Sequence, residues 1–236
     1  TDELEISATA RQTDSDDFGS NTSYRTAAIY RLNNGVAFRT MVSSGFRAPS
    51  LYERYGAFGA GNINLKPEES GTQEIGVEKV YQSGSSVRVT IFNTNVDNLI
   101  EYDMGTFSYT QATNSRKSQG VEFEGKWLAY DRISFDGSYA YVDAKTGTEV
   151  AARVPKHDLS LSISANISPK INSNLEINHI MDYKDTVSGS LVDMPDYTVT
   201  NLAVSYDMPN NLTGYVRIQD LMDTDYETVK DFNTGG

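Results

Sequence analysis

Period-two alternation, sustained over runs of ten residues or more, constrains this chain most. From 158 to 167, Leu159, Leu161, Ile163, Ala165 and Ile167 alternate with Asp158, Ser160, Ser162, Ser164 and Asn166. Successive side chains of a strand point to opposite faces, so this spelling gives a strand one apolar and one polar side. Leu4, Ile6, Ala8 and Ala10 repeat the pattern, as do Val87, Val89 and Ile91, then Val121, Phe123 and Trp127, and Phe135, Tyr139 and Tyr141. No helical pattern of ten or more residues competes. The expected strands are roughly 3–13, 22–33, 35–48, 71–82, 86–101, 107–129, 132–143, 152–168, 172–184, 196–207 and 211–220, about eleven in all. Several are twice the usual globular length and long enough to cross a bilayer when tilted.

The connections sharpen the reading. Tight turns are expected at Asn33-Asn34-Gly35, Ser83-Gly84-Ser85, Tyr130-Asp131-Arg132, Pro169-Lys170-Ile171 and Met208-Pro209-Asn210-Asn211. Longer polar or glycine-rich links fall at 14–21, 49–70, 102–106, 144–151, 185–195 and from 221 onward. Short and long connections thus alternate, the habit of an up-and-down membrane β-barrel with short periplasmic turns and long extracellular loops. A soluble sandwich with Greek-key crossings does not need that regularity, but period two alone fits it as well. On the polar faces stand Glu74, Glu78, Arg88, Glu122, Glu124 and Lys126. Charges of both signs are tolerable against a hydrated lumen and costly against lipid. Glu78 and Arg88 flank the turn at 83–85 and are expected to lie diagonally on the inner wall.

Composition removes other classes. The 236 residues carry a net charge of −12, which argues against a nucleic-acid partner. There is no Cys for a disulfide framework or a thiolate-zinc site. No uninterrupted apolar window reaches the length of a transmembrane helix, which says nothing against a barrel. Thr1 lies in a strand-like run and Gly236 in turn-like residues, so both ends read as cuts in a longer chain. His157 and His179 stand in different strands without catalytic or ligand spacing, and no enzyme, metal site or cofactor is expected. The acidic groups Asp14, Asp16, Asp17 and Asp182, Asp185, Asp193, Asp196 read as solvated surface.

Residues 45–76 carry a more specific signal. Gly45-Phe46-Arg47-Ala48-Pro49-Ser50-Leu51-Tyr52-Glu53 is followed by Asn62-Ile63-Asn64-Leu65-Lys66-Pro67-Glu68-Glu69-Ser70, then Glu74-Ile75-Gly76. Later come Asn95-Val96-Asp97-Asn98-Leu99-Ile100-Glu101-Tyr102, Asn114 with Gly120-Val121-Glu122, Arg153-Val154-Pro155-Lys156-His157, and Leu221-Met222-Asp223 with Tyr226 and Gly235-Gly236. In this order the runs resemble the late-barrel signature of TonB-dependent outer-membrane receptors, and their wording is most similar to the vitamin B12 receptor subgroup. Gln219-Asp220-Leu221 departs from the family's asparagine-leucine at the penultimate strand. Residues 50–61 lack the histidine of the family's haem receptors, which argues against haem, an iron centre in need of an axial ligand.

The resemblance implies a 22-stranded barrel filled by a plug, of which residues 1–236 are the C-terminal half, with the plug domain and the final strand lying outside this chain. It implies uptake of a bulky nutrient, cobalamin or a ferric siderophore, driven by the inner-membrane TonB complex, in a barrel embedded in outer-membrane lipid. A passive porin or adhesin barrel without energy coupling is the alternative. Within the resemblance, Phe46, Arg47, Pro49, Asn62, Leu65, Pro67 and Glu68 are structural. Pro49, lacking an N–H, ends a strand ladder. Tyr52, Tyr55 and Phe58, set among Gly56, Gly59 and Gly61, suit a mobile aromatic loop that contacts ligand. Tyr102, Phe107 and Tyr109 fit either an aromatic girdle or the ligand rim, and Trp127 with Tyr130 fits the opposite girdle.

Overall fold

The computed structural model describes residues 3–233, so the Gly235-Gly236 run lies outside the described residues. Its strands are β1 (Leu4–Ser15), β2 (Gly19–Arg31), β3 (Val36–Arg47), β4 (Glu68–Val80), β5 (Ser86–Asp97), β6 (Ile100–Asp103), β7 (Ser108–Gln111), β8 (Arg116–Tyr130), β9 (Ile133–Thr146), β10 (Glu149–Val150), β11 (His157–Ser168), β12 (Ile171–Met181), β13 (Tyr183–Val187), β14 (Ser190–Met194), β15 (Tyr197–Met208), β16 (Leu212–Ile218), β17 (Glu227–Val229) and β18 (Phe232–Asn233). One short helix, α1 (Leu51–Tyr55), interrupts the β3–β4 connection.

Eleven strands form one antiparallel path, β1-β2-β3-β4-β5-β8-β9-β11-β12-β15-β16, with β10 added beside β9. The path is open, and each strand pairs with its sequence neighbours in the sheet. Twelve residues at about 3.3 Å each give roughly 40 Å of strand, ample to cross a hydrocarbon core at a tilt.

The ladder registers convert alternation into two continuous faces. One row joins Thr40, Ile75, Ile91, Val121 and Tyr141. The next joins Val77, Val89, Phe123, Tyr139, Leu159, His179 and Thr198. Among the described residues nothing covers this apolar face: Ile75 is 68% exposed and Ile91 63%. Leaving one large aliphatic side chain in water forgoes about 1.5–3 kcal/mol, and this face displays many of them. Buried apolar groups are few among the described residues, and Leu65, Ala151, Tyr183 and Met194 sit in the connections. The sandwich reading fails here, since it needs a second layer on the apolar face.

The opposite face is polar and bound across strands. Glu78 stands directly opposite Arg88, not diagonally. Arg39 donates from Nε to Glu78 at 3.1 Å, Arg88 reaches Glu78 at 2.9 Å, and its other guanidinium nitrogen reaches Glu124 at 2.8 Å. Four strands are thereby joined by one ladder of alternating charge. Farther along, Ser160 donates to Asn178, and Asn174 donates to Ser162 and Ser164.

Five tight connections gather at one end, as expected. The other end differs in three places. The link expected at 14–21 shrinks to residues 16–18, because the strands continue to Ser15 and resume at Gly19. The strand expected over 107–129 splits into β7 and β8. The β13–β14 hairpin occupies much of the link expected at 185–195. At Asn98 and Asp182 the backbone turns to positive φ, 56° and 50°. Single Asn or Asp residues tolerate this region better than other non-glycine residues. Each breaks a run whose alternation continues through it, and so starts a separate hairpin.

Candidate functional site

The long connections build two locked assemblies at one end of the sheet. In the first, Arg47 at the end of β3 forms a two-nitrogen fork with Glu68 at the start of β4, both bonds at 2.8 Å. Its remaining nitrogen reaches Glu53 at 3.0 Å. Glu53 also closes a capping box on α1: it accepts from the Ser50 N–H, and the Ser50 hydroxyl accepts from the Glu53 N–H. Burial pushes the Glu53 carboxyl up, but its bonds from Ser50 and Arg47 outweigh this and hold it below its ordinary value. Pro49, Leu65 and Pro67 are buried beneath the loop, and Phe46 lies 6.1 Å from Phe18 of the first turn.

This loop docks on the β6–β7 hairpin. Asn62 Nδ2 donates to the Tyr109 carbonyl, and Tyr109 N–H donates to Ala60. Gln111 accepts from the Lys66 N–H and donates back to its carbonyl. Glu68 also accepts from the Ile100 N–H at 2.8 Å. One carboxylate therefore ties β3, β4 and the hairpin together. Gly61 permits the close approach inside the loop, where a Cβ would stand 2.5 Å from Gly56 N and 2.6 Å from the Arg54 carbonyl oxygen. Gly56 likewise permits close approach, a Cβ there standing 2.7 Å from the Tyr52 carbonyl oxygen.

The aromatic residues separate into different roles. Tyr52 meets Tyr109 edge-on at 6.0 Å, and Tyr109 meets Tyr102 at 5.1 Å. These three form a partly exposed platform. Tyr102, Phe107 and Tyr109 belong to the hairpin outside the main sheet, so the girdle reading does not hold for them. Tyr55 turns away: its hydroxyl donates to Asp17 at 3.1 Å and Arg54 covers its ring. Phe58 and Phe107 stand apart at exposed positive-φ turn positions. At the short-turn end, Trp127 stacks on Phe135 at 5.3 Å with Tyr130 exposed nearby.

The second assembly centres on Asp185, 1% exposed. It accepts from Arg153 Nε at 2.6 Å, from the Thr186 N–H at 2.7 Å and from the Lys230 N–H at 2.8 Å. Burial raises its pKa, but these donors outweigh that and keep the carboxyl below its ordinary range. The Arg153 N–H donates to Lys184, and Tyr183 OH donates to the Glu227 carbonyl. Tyr197 stacks on Tyr226 at 4.4 Å. Three connections thus meet at one carboxylate that the sequence presented only as part of an acidic stretch. The neighbouring acids are dispersed: Asp193 pairs with Lys184, and Asp196 accepts from the Asp182 N–H.

Below the loops, the polar face holds a recess of about 590 Å³ lined by Glu78, Arg88, Glu124, Lys126, Asp136 and Glu176, among others. It offers alternating charge and hydroxyls but no nucleophile-base pair. His157 and His179 lie on the apolar face, bonded to Tyr139 OH at 2.7 Å and to Thr198 Oγ1 at 2.8 Å.

Comparison with known proteins agrees with this architecture. The family model described as TonB dependent receptor-like, β-barrel matches residues 1–221. The siderophore receptor PirA of Acinetobacter baumannii superposes with a TM-score of 0.82 at 17% identity, covering 100% of this chain and 42% of that one. A Pseudomonas aeruginosa ferric enterobactin receptor (PfeA) variant in complex with enterobactin gives 0.80 at 18% identity, covering 100% and 40%. The P. aeruginosa ferripyoverdine receptor gives 0.77 at 19%, covering 97% and 34%. The chain therefore spans well under half the length of each of these structures, and at such identity the likeness establishes the fold.

Proposed function

This chain belongs to the TonB-dependent receptor β-barrel family, and from that premise we propose that it forms the C-terminal half of a barrel that imports a ferric siderophore. The fold is an antiparallel transmembrane β-barrel wall in the bacterial outer membrane, with lipid against the apolar face and the lumen against the polar one. The family is one of transport receptors, which perform selective binding and passage and no bond chemistry.

The observation that carries the proposal is the Tyr52–Tyr109–Tyr102 platform at the loop end, clamped by Arg47, Glu53 and Glu68. Rigid aromatics give broad contact to a bulky ligand at low entropic cost. Phe58 and Phe107 project into solvent at positive-φ turn positions and are available to a ligand held on the platform. Energy from the inner-membrane TonB complex drives passage, through parts of the receptor outside this chain. The three superposed receptors are named for siderophores or bind one, which favours a ferric siderophore over cobalamin. The finer resemblance to the vitamin B12 subgroup gains no support from them.

The test is binding of ferric catecholate, ferric hydroxamate and cyanocobalamin to the detergent-solubilised complete receptor. A ferric siderophore is expected to bind saturably, and the Tyr52→Ala/Tyr109→Ala variant to bind about tenfold or more weakly, the scale of aromatic contact residues. Saturable cobalamin binding alone would reject the siderophore assignment. If nothing binds and small solutes diffuse through without energy, the passive barrel is the correct reading.

A further inference from the structure

We propose that Arg54 is a positioning residue for cargo binding, a brace that fixes α1 and with it Tyr52 of the aromatic platform. The five residues of α1 make little more than one helical turn, too short to persist without anchors. Packing does not supply them, since Leu51, Tyr52 and Tyr55 are all exposed. Arg54 is the exception, with a side chain only 10% exposed. Its guanidinium serves two backbone carbonyls from different segments. Nη1 donates to Asp17 of the first turn, and Nη2 donates to Ile63 farther along the loop at 3.1 Å. The next side chain, Tyr55, donates to the Asp17 carboxylate at 3.1 Å. Arg54 Nε is buried without a partner among the described residues. Buried donors are rarely left so in native folds, and here the two carbonyl bonds are held although a third donor goes unmet.

The first turn depends on this tie. The β2–β3 ladder ends at Arg25 and Ser43, yet β2 runs on to Gly19 beside β1 and β3 to Arg47 beside β4. The wall forks there around a recess of about 270 Å³ lined by Ser20, Thr22, Ser44 and Glu69, among others. Among the described residues no backbone pairing joins the β1–β2 tip to β3 above the fork. Side chains span it instead: the Ser44 hydroxyl accepts from the Tyr24 N–H at 3.0 Å, Phe18 faces Phe46 at 6.1 Å, and Arg54 and Tyr55 hold Asp17. Two consecutive residues of α1 thus tie the tip of one hairpin, while Tyr52 on the same turn meets Tyr109 of another. The helix is a strut between the two, and its placement sets where the Tyr52 ring stands. Charge alone does not provide this. The Asp17 carboxylate lies 3.8 Å from Nη1, farther than either bonded carbonyl, and an ammonium has no rigid fork to hold two carbonyls at once.

The inference rests on the platform as the cargo contact, and a double-mutant cycle on the complete receptor in detergent separates the two. Ferric enterobactin and ferrichrome, one catecholate and one hydroxamate, are the probes, titrated calorimetrically. Arg54→Lys should weaken binding of the probe that the wild type takes by roughly fivefold, the scale of one net hydrogen bond. In the Tyr52→Ala background the same change should matter by about twofold or less, because residues that act through one another do not add. Asp17→Asn keeps both acceptors and should bind as the wild type does. The ladder already ends below the tie, so Arg54→Lys leaves every strand pair intact and heat-modifiable gel migration unchanged; should it fail that check, Arg54→Gln is read in its place. Equal losses in both backgrounds, or wild-type affinity in the Arg54 variant, would overturn the positioning role and leave the platform standing. Weakened binding by Asp17→Asn would mean an ion pair in place of a brace and would overturn it too. Full affinity after Tyr52→Ala, or no binding of either probe, would reject the platform and this inference with it.

Discussion

Replacing Asp185 with Ala should release three loops at once. The carboxylate is the shared acceptor for Arg153 Nε, Thr186 N–H and Lys230 N–H. Each backbone N–H stripped of its partner costs about 1–3 kcal/mol. Arg153 is 56% exposed, so its guanidinium regains water and adds only about 1 kcal/mol or less. The local opening free energy should therefore fall by about 2–7 kcal/mol, which raises hydrogen exchange by roughly thirtyfold to about a hundred-thousandfold in the affected amides. Exchange followed by mass spectrometry on the complete receptor should show peptides over 151–156, 183–194 and 227–233 accelerating together, with β3–β4 peptides unchanged. Acceleration confined to the β13–β14 hairpin would refute the three-way pin. The pH dependence has a definite sign. The folded carboxyl titrates below its ordinary value of 3.8, so its contribution is complete above that value and is lost as pH falls through the lower folded pKa. The loops should be locked at neutral pH and loosen together only in strong acid; loosening near pH 6 would contradict the assignment.

Further outcomes follow from single contacts. Gly120→Ala drives a Cβ directly onto the Tyr141 carbonyl oxygen and to 2.8 Å from the Phe92 ring, whereas a Cβ at Gly125 meets nothing closer than 3.9 Å; the first should lower the folded yield of the receptor and the second leave it unchanged. Arg47→Lys keeps the charge but loses the fork to Glu68, so proteolysis within 51–64 should speed up while the barrel's melting temperature holds. Val89→Lys places an ammonium on the lipid face at a cost of about 2–4 kcal/mol near mid-bilayer, and Thr90→Lys faces the lumen without that cost; membrane assembly, read by heat-modifiable migration, should fail for the first variant only.

The strands were legible because one property, alternation, sets which side of each strand is apolar, and the registers joined those sides, with shifts beside the short turns at Leu128/Tyr130 and Asn166/Ser168. Ile75, Ile91 and Val121 fall in one row. The small hairpins were not legible. Leu99 to Tyr102 continues the alternation of β5, and only the positive φ of Asn98 separates them. The Arg47 clamp lay within recognisable runs, since Glu53 and Glu68 are near it in sequence. Asp185 was invisible for the opposite reason. Its partners Arg153 and Lys230 are 32 and 45 residues away, and an aspartate among other acids in a polar link looks solvated until the fold closes over it. The role of Tyr109 depended likewise on the hairpin that carries it to Tyr52.

The central claim, hydrocarbon on one side of this sheet and water on the other, is tested most directly at adjacent positions of β5. Nitroxide labels on introduced cysteines at Val89 and Thr90 of the complete receptor in liposomes can be compared by power-saturation spectroscopy. The account predicts that the label at 89 relaxes with dissolved oxygen and ignores a water-soluble nickel chelate, and that the label at 90 does the reverse. Equal responses, or an exchange of the two, would contradict it.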